Sequence, residues 1–148
     1  VDDQEYVVAD GGRRYESWEK NYAALLGLGA AADYALDLGL GRTQELITSA
    51  ADRIRAGLAE IPGVVVRDRG TVRTGIVVLT VDGRDAGEVA REIKAAGVNV
   101  SHSTPDYALR DFRDHGIDGQ VRVSPHVYTD DADIDALLTA VRETVVAG

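Results

Sequence analysis

The 148-residue sequence contains no cysteine, which excludes a disulfide framework, a thiolate nucleophile and a cysteine-ligated zinc site. Basic residues are scarce: 16 Lys and Arg stand against 25 Asp and Glu, for a net charge of −9. A surface of that sign suits neither nucleic acid nor an anionic membrane, where basic patches supply most of the affinity. No apolar run approaches the roughly 20 residues that a membrane-crossing helix requires. Lysine occurs only as Lys20 and Lys94. The first residues, Val1-Asp2-Asp3-Gln4-Glu5, lack the basic-then-apolar order of a signal peptide and carry no initiator Met. The expectation is therefore a cytoplasmic protein, present as a piece of something longer. What the sequence has is a 45% share of hydrophobic residues, enough to bury a core in one ordinary domain.

Residues 1–16 show no helical period and include Gly11-Gly12, so an extended N-terminal segment is expected, followed by one domain over 17–148. The spacing predicts a helix over residues 18–38, with Tyr22, Leu25, Leu26, Gly29, Ala32 and Leu36 on one face. A second is predicted over 43–60, with Leu46, Ile47, Ala50, Ile54 and Leu58 as its stripe and Pro62-Gly63 as its stop. Val64-Val65-Val66 and the β-branched run from Gly75 to Val81 read as strands. Asp85 with Glu88 opens a helix that Gly97 closes. Val98-Asn99-Val100 reads as a further short strand, and residues 101–119 as a long polar loop. Residues 120–124 form a last strand, and Thr129 is placed as the cap of a final helix carrying Ile134, Leu137, Leu138, Val141 and Val145. The order ααββαββα fits an α+β, two-layer sandwich with helices packed on one face of a small, mostly antiparallel sheet.

Catalytic hardware is sparse. His102, His115 and His126 are far apart in sequence and lack metal-ligand spacing. A set such as Ser103, His126 and Asp111 can be drawn, but with 25 acids available such a set carries no weight. No catalytic or metal-binding residue is assigned. Two places stand out. Arg122 is a cation within a strand between two valines, and there it needs a partner. That partner is either an internal carboxylate or the carboxylate of a ligand held by the guanidinium fork. The second place is Arg13 to Asn21, where the only Trp, Trp18, and Lys20 stand at a helix start. It reads either as a surface cap with a packed Trp or as a helix terminus able to meet an anion.

At these same places the sequence resembles the class-V aminotransferase family of pyridoxal-phosphate enzymes, which includes cysteine desulfurases, selenocysteine lyases, isopenicillin N epimerase-like proteins and carbon–sulfur lyases. Arg13-Arg14-Tyr15-Glu16 with Asn21 and Gly27-Leu28-Gly29-Ala30-Ala31 is similar to the family's segment leading into its small domain. Ile61-Pro62-Gly63-Val64 resembles its "iPGv" turn, and Val121-Arg122-Val123-Ser124-Pro125-His126-Val127-Tyr128-Thr129 its "vRxSxHyYNt" motif. The resemblance runs over about residues 5–146.

That resemblance implies the C-terminal small domain of a homodimeric enzyme acting on a small amino-acid substrate, whose large domain holds the cofactor. Neither Lys20 nor Lys94 lies in the family's Ser-x-His-Lys context, so the isolated chain is expected to be inactive and to hold no pyridoxal phosphate. Carried over residue by residue, Arg122 binds the substrate α-carboxylate. Trp18, Glu19 and Asn21 fall at the cofactor-phosphate positions, with Trp18-Glu19 where Gly-Thr is frequent in the family. A glutamate repels a phosphate, so contact there would come from backbone N–H groups. Persulfide-forming members carry a cysteine in the loop corresponding to residues 101–106, which is absent here. This leaves lyase, epimerase or aminotransferase chemistry. The competing reading is a free-standing α+β module for binding or regulation, with Arg122 as its carboxylate site.

Overall fold

The structure, a computed structural model, describes residues 6–147. Part of the predicted N-terminal segment, residues 1–5, lies outside them. The chain divides into two compact units, Val1–Gly39 and Leu40–Gly148.

In the first unit, the expected extended stretch is interrupted by a 3₁₀ turn at Gly11–Tyr15, initiated where Gly11 takes φ +68°. Helix α1 spans Tyr22–Leu38, not residue 18 onward. The reason is local: the Asn21 side chain accepts the Ala24 N–H at 3.0 Å, which fixes the N-cap and leaves residues 18–20 outside the helix. Gly39, at φ +83°, ends it. No residue of α1 is buried, although it carries Leu25, Leu26, Leu28, Tyr34 and Leu36.

The second unit carries the core. Helix α2 (Leu40–Ala59) is followed by β1 (Val64–Val66), β2 (Val77–Val81), α3 (Ala86–Ala95), β3 (Ser101–Ser103), α4 (Leu109–His115), β4 (Gln120–Val123) and α5 (Asp131–Ala147). The strands lie in the order β1-β2-β4-β3, and all three pairings are antiparallel. Alternation along β2 buries Val77, Leu79 and Val81 on one face, where α2, α3 and α5 deliver Ile54, Leu58, Val89, Ile93, Leu137 and Val141. The α+β arrangement of helices over one face of an antiparallel sheet is thus the observed one. Among the described residues, no single helix is long and apolar enough to cross a membrane.

Three expectations are corrected. The strand at Val98-Asn99-Val100 does not form, because those residues serve the end of α3. Gly97 at φ +91° lets the Val98 N–H donate to the Ile93 carbonyl, a Schellman closure, and pairing begins only at Ser101. The predicted loop over 101–119 contains β3, a 3₁₀ turn at Pro105–Tyr107 and α4. Helix α4 ends in the same closure: Gly116 is left-handed, Ile117 N–H donates to the Phe112 carbonyl, and both apolar side chains are buried. Finally, Thr129 does not cap α5. Asp130 does so, in a reciprocal box: its Oδ1 accepts the Asp133 N–H at 2.9 Å, and Asp133 Oδ2 accepts the Asp130 N–H at 3.1 Å.

Candidate functional site

Arg122 sits in β4, between β2 and β3, with Val121 and Val123 buried on either side of it in sequence. Alternation therefore sends its side chain to the face of the sheet opposite the helices, where it is exposed. Its register neighbours on that face are Val78 and Ser101, neither of them an acid. Among the described residues it takes part in no ion pair. Its guanidinium fork thus stands at the surface, on a backbone held from both sides.

The residues after Arg122 form a braced corner. His126 N–H donates to Thr129 Oγ1 at 3.0 Å, and Thr129 N–H returns to the His126 carbonyl at 3.0 Å. The rings of His126 and Tyr128 lie 5.2 Å apart at 33°. This is the structural role of Thr129, and it leads directly into the Asp130 cap of α5.

In the first unit, Trp18 is 98% exposed and so is not the packed cap considered from sequence. Glu19 is likewise exposed, and Asn21 has its side-chain oxygen engaged by α1. These three follow one another along the chain, whereas Arg122 belongs to the second unit.

A covalently held pyridoxal phosphate needs a lysine in a pocket that lowers its pKa. Lys20 is exposed and pairs with Glu16 at 3.2 Å, and Lys94 is exposed on α3. Neither lines the cavities beside Arg67, Thr48, Pro125, Leu109 or Phe112. The described residues do not fit that cofactor, and no group of His, Asp and Glu among them suits a metal.

The feature that sequence reasoning missed is a buried ion pair. Arg55 of α2 and Asp68 after β1 are each 6% exposed in their side chains and meet at 2.5 Å. Arg55 also donates to Asp52 at 3.0 Å and to the carbonyls of Thr74 and Ile76 at 2.7 and 3.0 Å. Asp68 accepts the Val78 N–H at 2.8 Å. A signal existed, since Arg55 stands four residues after Ala51 and three before Leu58, both wholly buried. The network also explains why β2 begins at Val77 and not at Gly75: the carbonyls of Thr74 and Ile76 are turned toward Arg55. Beside this pair lies a cavity of about 330 Å³ bordered by Arg67, Arg69, Arg73 and Asp111.

Comparison with known proteins accords with the fold. Residues 1–137 match the family described as Aminotransferase class-V. A probable cysteine desulfurase of Methanothermobacter thermautotrophicus is 26% identical over 151 residues, covering the whole of this chain but 38% of the relative. A probable cysteine desulfurase of Mycobacterium leprae is 27% identical, over 91% of this chain and 22% of the relative. Among solved structures, the apo cysteine desulfurase of Thermococcus onnurineus superposes with a TM-score of 0.83 at 26% identity, over 100% of this chain and 37% of that one. An Escherichia coli cysteine desulfurase, at 20% identity, shares the fold with a TM-score of 0.81. The chain therefore spans well under half the length of the relatives it matches, and within that span it belongs to the class-V aminotransferase family.

Proposed function

We propose that this chain is the C-terminal, substrate-closing small domain of a larger pyridoxal-phosphate enzyme, and that Arg122 holds the α-carboxylate of an amino-acid substrate. The observation that carries this reading is the placement of Arg122: a guanidinium exposed on the open face of an inner strand, with no acidic partner among the described residues. A planar fork on a fixed backbone suits a planar carboxylate, because two parallel N–H···O bonds form with little loss of side-chain freedom. The cofactor itself belongs to the portion of the enzyme outside this chain, since neither lysine stands in a pocket. The exposed apolar surface of α1 supports a partner there, either the large domain or the second subunit of a homodimer.

The relatives named above are cysteine desulfurases. The loop at residues 101–106, where the family resemblance places the cysteine of persulfide-forming members, holds no thiol in this chain. We infer chemistry of the lyase, epimerase or aminotransferase kind on this account. Trp18 and Glu19, both exposed, would approach the cofactor phosphate through backbone N–H groups only.

The test is a pair of substitutions, Arg122→Ala and Arg122→Lys, in the enzyme that contains this chain. A charge-assisted pair contributes roughly 1.5–3 kcal/mol, so KM for the amino acid should rise about tenfold to a hundredfold. Lysine should recover little of it, because a single ammonium cannot reproduce the fork. An unchanged KM together with a large loss of thermal stability would overturn the assignment.

A further inference from the structure

We propose that the cavity beside the Arg55–Asp68 pair binds a doubly charged oxyanion group of a small ligand, a phosphate monoester or a dicarboxylate, held between Arg67 and Arg73. Its volume, about 330 Å³, falls at the lower end of small-molecule sites. Four arginines and two aspartates border it, in a molecule whose net charge is −9.

The local charges do not cancel. Asp68 is occupied by Arg55 and by the Val78 N–H. Asp111 is occupied by Arg69 at 3.0 Å, with His115 Nδ1 a further 3.3 Å contact. Two guanidinium groups remain. Arg67 is half-buried and donates only its Nε, to Thr80 Oγ1 at 3.0 Å. Arg73 meets no acceptor among the described residues. A half-buried cation without a counter-anion is costly to maintain, which applies to Arg67, whereas Arg73 is exposed and adds a second free fork at the rim. Two guanidinium groups bordering one cavity, one half-buried and one exposed, are matched by a dianion whose oxygens take two donors from each fork.

The walls are also held in place before any ligand arrives. The connection from β1 to β2 is tied at both ends, by Asp68 to the Val78 N–H and by Arg55 to the Thr74 and Ile76 carbonyls. Preorganisation of this kind lowers the ordering cost of binding. Nothing in the inference depends on the role proposed for Arg122, which does not border the cavity.

The experiment titrates the 148-residue chain with inorganic phosphate and, separately, with succinate at constant ionic strength, read by calorimetry and by the thermal midpoint. At least one anion should bind saturably at one per chain. Arg73→Gln and Arg67→Gln should each weaken that binding about tenfold or more. Arg142→Gln, an exposed arginine of α5 away from the cavity, should leave it unchanged. Saturation by phosphate alone assigns a phosphate ester, and by succinate alone a dicarboxylate. Arg73 is exposed and has no partner among the described residues, so its variant folds and decides the matter even where Arg67→Gln does not. Failure of both anions to saturate, or equal weakening by Arg142→Gln, would overturn the proposal.

Discussion

The Arg55 side chain donates to two carboxylates and two backbone carbonyls from inside the second unit, while the Arg122 side chain donates to nothing among the described residues and stands at the surface. The same side chain therefore has opposite consequences at the two positions. Removing Arg55 leaves Asp68 buried without its counter-charge, so Arg55→Ala should destabilise by ~3–5 kcal/mol. Denaturant midpoints at unchanged slope would show this, and a loss below ~1 kcal/mol would mean that water replaces the guanidinium. Arg122→Ala in the 148-residue chain should fall within about 0.5 kcal/mol of the parent, as for surface positions without partners. A marked loss of stability there would revive an internal ion pair as its role. Gly75 is a further single-residue constraint, since a Cβ there would fall 2.1 Å from Ile47 Cγ2. Gly75→Ala should cost ~1–3 kcal/mol through overpacking, unless the half-buried Ile47 can rotate away.

At the scale of elements, helices α3 and α4 end by the same device, a left-handed glycine between two apolar residues five apart: Ile93 and Val98 around Gly97, Phe112 and Ile117 around Gly116. Helix α3 has a full amphipathic face besides, so it is visible in the residue pattern; α4 is only seven residues long and its one buried side chain is Phe112. Its stability rests on packing and not on helical propensity, which is too weak for so short a helix in isolation. Phe112→Ala should accordingly abolish the exchange protection of amides 112–117 while leaving those of Val77–Val81 intact. Equal loss in both segments would show that α4 and the sheet unfold as one unit. The start of α5 makes a comparable point: Asp130→Ala should cost ~1 kcal/mol as the loss of a cap, whereas Thr129→Ala should loosen the corner at His126 without uncapping the helix.

For the molecule as a whole, the distribution of apolar surface is uneven. The second unit closes a core around fully buried residues such as Ile54, Leu79, Val89 and Val141. Helix α1 buries nothing, and Leu26 at 77% and Leu28 at 68% exposure lie on a helix that is apolar over much of its circumference. Exposed apolar area of this extent is a site of association. The isolated chain should therefore self-associate as concentration rises, and a chain restricted to residues 40–148 should sediment as a monomer. A monomeric full chain that binds no apolar dye would show that α1 is covered in solution.

Periodicity alone determined the class of the second unit. Apolar residues at helical spacing in α2, α3 and α5, and β-branched runs at 64–66 and 77–81, can be satisfied only by burying one helix stripe and one sheet face together. The motif around Arg122 was equally visible in one dimension, because strand alternation between two valines dictates which face the arginine takes. Pairing order, the reuse of Val98 and Ile117 as helix closures, and the burial of Arg55 against Asp68 were decided by tertiary structure. Each depends on a partner distant in sequence or on competition between two local roles for one residue. A charged residue within an apolar stripe announces that it needs a counter-charge, but among 25 acids only the folded chain selects Asp68.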